Sequence, residues 1–213
     1  MLKCVCMMVV PALLLTVTTG CQTMVPISAS SMDPIEGLNA TPVNVLQEVT
    51  DARKKKTNQV GRHTFTVFMI PTIPVFEENS LHKGVGEALS SALNQAGYKA
   101  TVVEKVDQAD GPVLNVQIDS MRNYLFSWLW PLGLTGGRAK MTPVLFDNEG
   151  NVLWKGKPCV AWGGCPSLIY MAGFETSVGM EVGSIFRQIL AQMGTEDFRK
   201  ALNSKNSQTV SSN

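Results

Sequence analysis

The sequence predicts an α+β fold: a mostly antiparallel sheet of about five strands with two helices packed on one face, in the order β-α-β-β-β-β-α. Two segments, 81–96 and 174–193, repeat apolar residues at helical spacing. Between and before them lie β-rich runs separated by Gly, Pro and Asp-Asn turn signals. Two helices covering one side of a sheet make a two-layer sandwich, and 213 residues suffice for one such core.

The first strand spans 64–70 and ends at Pro71 and Pro74, which cannot donate to a ladder. Asn79 or Ser80 caps the first helix. Leu81, Val85, Leu89, Ala92, Leu93 and Ala96 form its apolar stripe, and Gly97 stands where a C-terminal cap belongs. A second strand covers 98–106 and a turn 107–112. A long third strand covers 113–128, with Leu114, Val116 and Ile118 on one face. After an apolar turn at 131–137 come a strand at 138–146, the hairpin signal Asp147-Asn148-Glu149-Gly150, and a fifth strand at 151–162. The second helix sets Val178, Val182, Ile185, Ile189 and Met193 on one face. Gly179 and Gly183 within it cost ~1 kcal/mol each, which suits close packing on the sheet.

The start of the chain has a different character. Lys3 precedes an apolar run from Val5 to Leu15, the length of a secretory h-region and too short to span a bilayer. Thr18-Thr19-Gly20-Cys21 then resembles the lipobox of bacterial lipoproteins, except that Leu is usual where Thr18 stands. The resemblance implies cleavage before Cys21, acylation of Cys21 and anchoring by its acyl chains. An uncleaved apolar start or an ordinary secretory signal is the alternative. Gln22, in place of the Asp that retains such proteins in the inner membrane of enterobacteria, implies the outer membrane. The expected organisation is a signal at 1–20, a lipidated and partly basic tether at 21–62, one domain at 63–203 and a disordered tail at 204–213.

Cleavage would leave 17 basic and 17 acidic residues, a balance that does not suggest a nucleic-acid partner. It would also leave Cys159 and Cys165, which in an oxidising compartment read as a disulfide closing a short loop through Val-Ala-Trp-Gly-Gly. A two-ligand metal site is the alternative, but His63 and His82 are the only histidines and both are remote, so no metal and no cofactor is expected. Gly-x-Ser-x-Gly, paired histidines at ligand spacing and a phosphate-cradling loop are all missing. Glu77-Glu78 favours the start of a helix through its dipole rather than acid–base work. The expectation is a protein that is not an enzyme.

Residues 65–71 and 81–103, with Gly97-Tyr98 at the helix exit, resemble the strand–helix–strand opening of small envelope lipoproteins. Ala109-Asp110 before 113–118, and Ala191-Gln192-Met193 before Glu196-Asp197-Phe198, are similar as well. The family is that of the YajG lipoproteins, with LpoB and the N-terminal domain of TolB sharing the outline. The resemblance covers residues 64–202 and implies a non-enzymatic binding or scaffolding module at the outer membrane. The Trp-rich hairpin and the Cys159–Cys165 segment depart from it.

Two surfaces stand out. Tyr124 to Leu134 places Phe126, Trp128, Leu129, Trp130, Leu132 and Leu134 in one apolar hairpin. It reads as core, as a contact for a protein partner, or as a contact for lipid. Arg53, Lys54, Lys55 and Lys56 read either as a solvated charge run or as a contact for an anionic surface. The expected function is a scaffolding or regulatory lipoprotein with an envelope protein partner. A carrier or sensor of a lipid or other apolar ligand is the alternative.

Overall fold

The computed structural model describes residues 23–25, 41–53, 59–65, 70–77, 80–129, 132–167 and 170–203. The signal segment, Cys21, Lys54 to Lys56, Trp130 and the tail beyond 203 lie outside the described residues.

The spine of the fold is a long hairpin. Strands β6 (Val113–Leu129) and β7 (Leu132–Phe146) pair antiparallel along their whole length. On the far side of β7, strand β9 (Cys159–Ser167) flanks its first half and β8 (Val152–Lys155) its second. On the far side of β6, β2 (Pro42–Leu46) and β3 (Gln59–Phe65) both run parallel to it, β2 along its start and β3 along its end. Strand β5 (Lys99–Val103) lies parallel to β2. Strand β4 (Ile70–Glu77) pairs antiparallel with β3 and carries the short β1 (Thr23–Val25) in parallel on its other side.

The fold is α+β, but the sheet is mixed and has nine strands among the described residues. Four of its pairings are parallel. Three α-helices are described rather than two: α1 (Leu81–Gln95), α2 (Tyr170–Met193) and α3 (Glu196–Asn203).

The differences from the sequence reading have local causes. Residues 41–53, placed in the tether by their polarity, supply β2 and a bridge from Asp51 to Ile118. Val43, Val45 and Val49 are buried by them. Five residues alternating between core and surface are enough for a strand when two partners lie alongside. The strand expected at 64–70 is instead two strands, and Pro71 and Pro74 lie inside β4. They fall outside the stretch 75–77 that pairs with β1, so the ladder loses no donor there.

One core joins both long helices to the inner face of the sheet. The α1 stripe is buried as its spacing requires, and Gly97 takes a left-handed φ of 99°. There Tyr98 N–H reaches Leu93 O at 3.0 Å, which closes the helix. In β6 a register shift between Ile118 and Ser120 inserts one residue. It returns Met121 and Leu125 to the core in phase with Leu114, Val116 and Ile118. The same shift turns Arg122, Tyr124 and Phe126 outward. Helix α2 is fastened to β9 by Gln188, bonded to both polar atoms of the Val160 backbone, and by Gln192, bonded likewise to Lys157. Trp154 meets Phe198 of α3 edge-on at 5.0 Å.

The disulfide between Cys159 and Cys165 is overturned. Both cysteines belong to β9, which pairs without interruption with β7 from Met141 to Gly133. Six residues of extended strand separate their Cα atoms by ~20 Å, against the ~7 Å a disulfide tolerates. The Gly163-Gly164 pair does not reverse the chain; Gly163 gives helix α2 a place to lie. Cys159 is a free, buried thiol that accepts from Gln192 Nε2 at 3.1 Å, and burial pushes it up to about 11.

Candidate functional surface and buried carboxyl

The hairpin carries different chemistry on its two faces. Cross-strand register sets Thr64, Phe126, Leu134 and Pro166 side by side across four strands. The next outward row is Arg62, Tyr124, Gly136 and Gly164, and beyond it lie Arg122, Arg138 and Trp162. The helices pack on the other face, so Tyr124 is 45% exposed, Phe126 42%, Leu134 58% and Trp162 73%. Tyr124 stacks against Phe126 with ring centres 6.2 Å apart, and the Arg138 guanidinium lies 5.0 Å over the Trp162 ring. Exposed aromatic residues beside arginines are enriched where proteins bind partners.

Next to these rows a groove of about 740 Å³ opens over β3 and β6, with Arg62, Arg122, Tyr124 and Asp119 on its walls. Asp119 accepts from Thr142 Oγ1 at 2.6 Å and from Gln117 Nε2 at 2.8 Å. Arg53 also reaches the groove, but its charge is committed elsewhere. It binds both carboxylate oxygens of buried Asp51, at 2.9 and 2.8 Å, and donates to Gln59 O at 2.9 Å. His82 contacts the same carboxylate at 3.2 Å. Burial alone would raise Asp51; hydrogen bonds from the Arg53 side chain and backbone, and from His82, outweigh it and hold the carboxyl at about 2.

The inner face hides a second feature. Glu181 of α2 is 0% exposed, and it meets the sheet where Asn123, Gly137 and Gly163 stand side by side on three strands. A Cβ at Gly163 would come within 2.7 Å of Glu181 Oε1, and one at Gly137 would strike Asn123 Oδ1. Only glycine lets the helix sit this close. Asn123 donates from Nδ2 to Val60 O at 3.2 Å, which leaves its Oδ1 without a donor. Both Glu181 oxygens and Ser177 Oγ also complete no hydrogen bond. Burial pushes the Glu181 carboxyl up to about 8, although the Gly163 amide and Asn123 pull the other way. A carboxyl that keeps its proton supplies the donor this cluster of acceptors lacks. His63, also buried, is drawn below its ordinary value by desolvation.

No protein-family model matches the chain. No curated protein matches it either. Among solved structures it resembles a Xanthomonas campestris protein of the DUF330 family, with a TM-score of 0.51 and 9% identity over 86% of this chain and 97% of the other. It also resembles a putative neuraminyllactose-binding hemagglutinin homolog of Helicobacter pylori, at TM-score 0.46 and 9% identity over 85% and 100%. A third is the lipoprotein GNA1162 of Neisseria meningitidis, at TM-score 0.33 and 14% identity over 71% and 99%. At such identities the first likeness shows a shared fold and nothing finer. No helix among the described residues is long and apolar enough to cross a membrane.

Of the residues singled out in the sequence, Phe126 and Leu134 are on the exposed face. Trp128, Leu129 and Leu132 continue β6 and β7 toward the hairpin tip. Arg53 is apart from them, bound to Asp51. The sequence reading missed Arg122 and Arg138, because the face they share with Arg62 exists only through cross-strand register. It also missed Glu181, although a signal was present: a lone carboxyl between Val178 and Val182 in an otherwise apolar stripe.

Proposed function

We propose that this protein is a lipid-anchored, non-enzymatic binding module of the bacterial envelope, held through Cys21 on the periplasmic side of the outer membrane and serving as a scaffold or adaptor for an envelope protein. The observation that carries the reading is the uncovered face of the hairpin, where the groove lined by Arg62, Arg122 and Tyr124 adjoins exposed aromatic side chains. The lipobox-like residues before Cys21 and the YajG-like pattern over 64–202 support the envelope setting.

The carrier alternative asks for space between sheet and helices. At Gly61, Gly137 and Gly163 an added methyl would already collide with Phe174, Asn123 or Ser177, so the interface is filled by protein. The test is cross-linking in intact cells followed by purification from detergent-solubilised membranes. Native protein is compared with an Arg122→Ala variant of unchanged circular dichroism. The expected result is a discrete envelope protein recovered with the first and lost with the second. Equal recovery from both would refute the groove as the contact.

A further inference from the structure

Strand β1 begins at Thr23, two residues after Cys21, and is already paired with β4. A lipid on Cys21 would therefore leave almost no slack between membrane and domain: two residues reach at most ~7 Å. The register also gives the direction. Thr23 lies opposite Val75, and β4 runs from Ile70 to Glu77, parallel to β1. The N-terminal end of β1 therefore points toward the Ile70 end of β4. Ile70 pairs with Phe65, and Phe65 with Ser127 of β6. That end of the sheet is the one at which Leu129 and Leu132 close the long hairpin.

We infer that the hairpin end of the sheet seats on an anionic phospholipid leaflet, with Phe126 and Leu134 entering the headgroup layer and Arg62 meeting lipid phosphates. This rests on the reading of Cys21 as the lipid anchor. The spacing along the strands fits the depth of a headgroup layer. The Arg62–Tyr124 row stands two residues, ~7 Å, behind Phe126, and the Arg122–Arg138–Trp162 row ~13 Å behind it. A leaflet's polar layer is ~5–8 Å deep. Apolar side chains thus come first and Arg62 and Tyr124 follow at phosphate level, where a basic and an aromatic side chain are both favoured; the Arg122–Arg138–Trp162 row stands clear of the layer. Among the described residues none of these three arginines is ion-paired to an acid, so their charge is directed outward. Val152, also exposed, stands at the other end of β7, beside Phe146. It is twelve residues from Leu134, ~40 Å away.

The full-length protein is purified in detergent with a cysteine carrying an environment-sensitive fluorophore at Leu134 (L134C) or at Val152 (V152C). The unsubstituted chain reports background labelling. Each sample is reconstituted into vesicles of phosphatidylcholine with or without phosphatidylglycerol. The expected result is a blue shift and brighter emission at position 134 that requires phosphatidylglycerol, with no change at 152. An Arg62→Glu variant should weaken the shift, since one arginine near the surface contributes about fivefold. Equal responses at 134 and 152, or a silent 134 in anionic vesicles, would overturn the orientation. So would protection of position 134 in cells but not in vesicles, which would assign the face to a protein. The mass of the Cys21 peptide from the same preparation tests the anchor separately. An acylated peptide with a silent 134 retains the anchor and removes the orientation, whereas an unacylated one with a shifted 134 does the reverse.

Discussion

Glu181→Gln isolates the proton that the fold holds in its interior. The Glu181 carboxyl ionises at about 8 in the native protein against an ordinary 4.5. Below 4.5 the group is protonated both folded and unfolded, and it contributes no pH dependence. Between 4.5 and 8 the native state retains a proton that the unfolded state has released, so stability falls as pH rises. At about 1.4 kcal/mol for each pH unit, the full loss is about 5 kcal/mol. That is a large share of the 5–15 kcal/mol that stabilises a typical domain. The glutamine keeps the shape and carries an amide donor toward Asn123 Oδ1, which lacks one. Urea unfolding of both proteins from pH 5 to pH 9 measures the difference. At pH 5 the two should lie within about 1 kcal/mol, the size of one hydrogen bond. By pH 8 the variant should be more stable by about 4 kcal/mol, with the wild type alone sloping downward. Parallel curves across this range would mean that Glu181 ionises normally in the fold, and the shared-proton reasoning would fail.

Three further outcomes are expected. Gly163→Ala, whose Cβ would fall 2.6 Å from Ser177 O, should cost about 1–3 kcal/mol or more by overpacking. Gly136→Ala, with its nearest neighbour 3.9 Å away on the open face, should stay within about 1 kcal/mol of wild type in the same denaturant titration. Asp51, held at about 2 against an ordinary 3.8, contributes about 2 kcal/mol that is present above pH 3.8 and lost as pH falls through 2. Asp51→Asn should flatten that acid limb, as followed by circular dichroism, and should destabilise at neutral pH by removing the buried carboxylate that Arg53 and His82 both contact. Cys159 should resist a thiol reagent until the protein unfolds, and a non-reducing digest should return it unlinked to Cys165; a linked peptide would contradict the continuous β9.

What the sequence made legible followed from periodicity and turn chemistry. The α1 stripe from Leu81 to Ala96, its Gly97 cap, the hairpin at Asp147–Gly150 and the apolar face of α2 were each set by residues a few positions apart. The parts that were not legible depend on pairing over long separations. Pro42–Leu46 is a strand only because β5 and β6, tens of residues later, lie on either side of it. Its polar surroundings therefore read as a tether. The register shift after Ile118 exchanges the two faces of β6, so alternation counted from Leu114 would have placed Tyr124 and Phe126 inward. Gly163-Gly164 between two cysteines looks like a loop until α2 is seen to need the space at Gly163.

The two faces of the hairpin are linked through that same space. The Asn123–Gly137–Gly163 row under Glu181 lies between the outward rows of Tyr124 and of Arg122 with Trp162, on the same three strands. A charge on fully buried Glu181 would be met only by the Gly163 amide and Asn123, which do not offset its desolvation, so relief favours α2 lifting away from β7 and β9. Those strands carry Leu134, Arg138 and Trp162 on their opposite side. Alkaline conditions that strip the proton should loosen the outer surface before they unfold the chain. The label at position 134 already provides the readout: its response to anionic vesicles should weaken between pH 7 and pH 9 in the wild type and persist in Glu181→Gln. A decline of equal size in both proteins would separate the buried carboxyl from the surface above it.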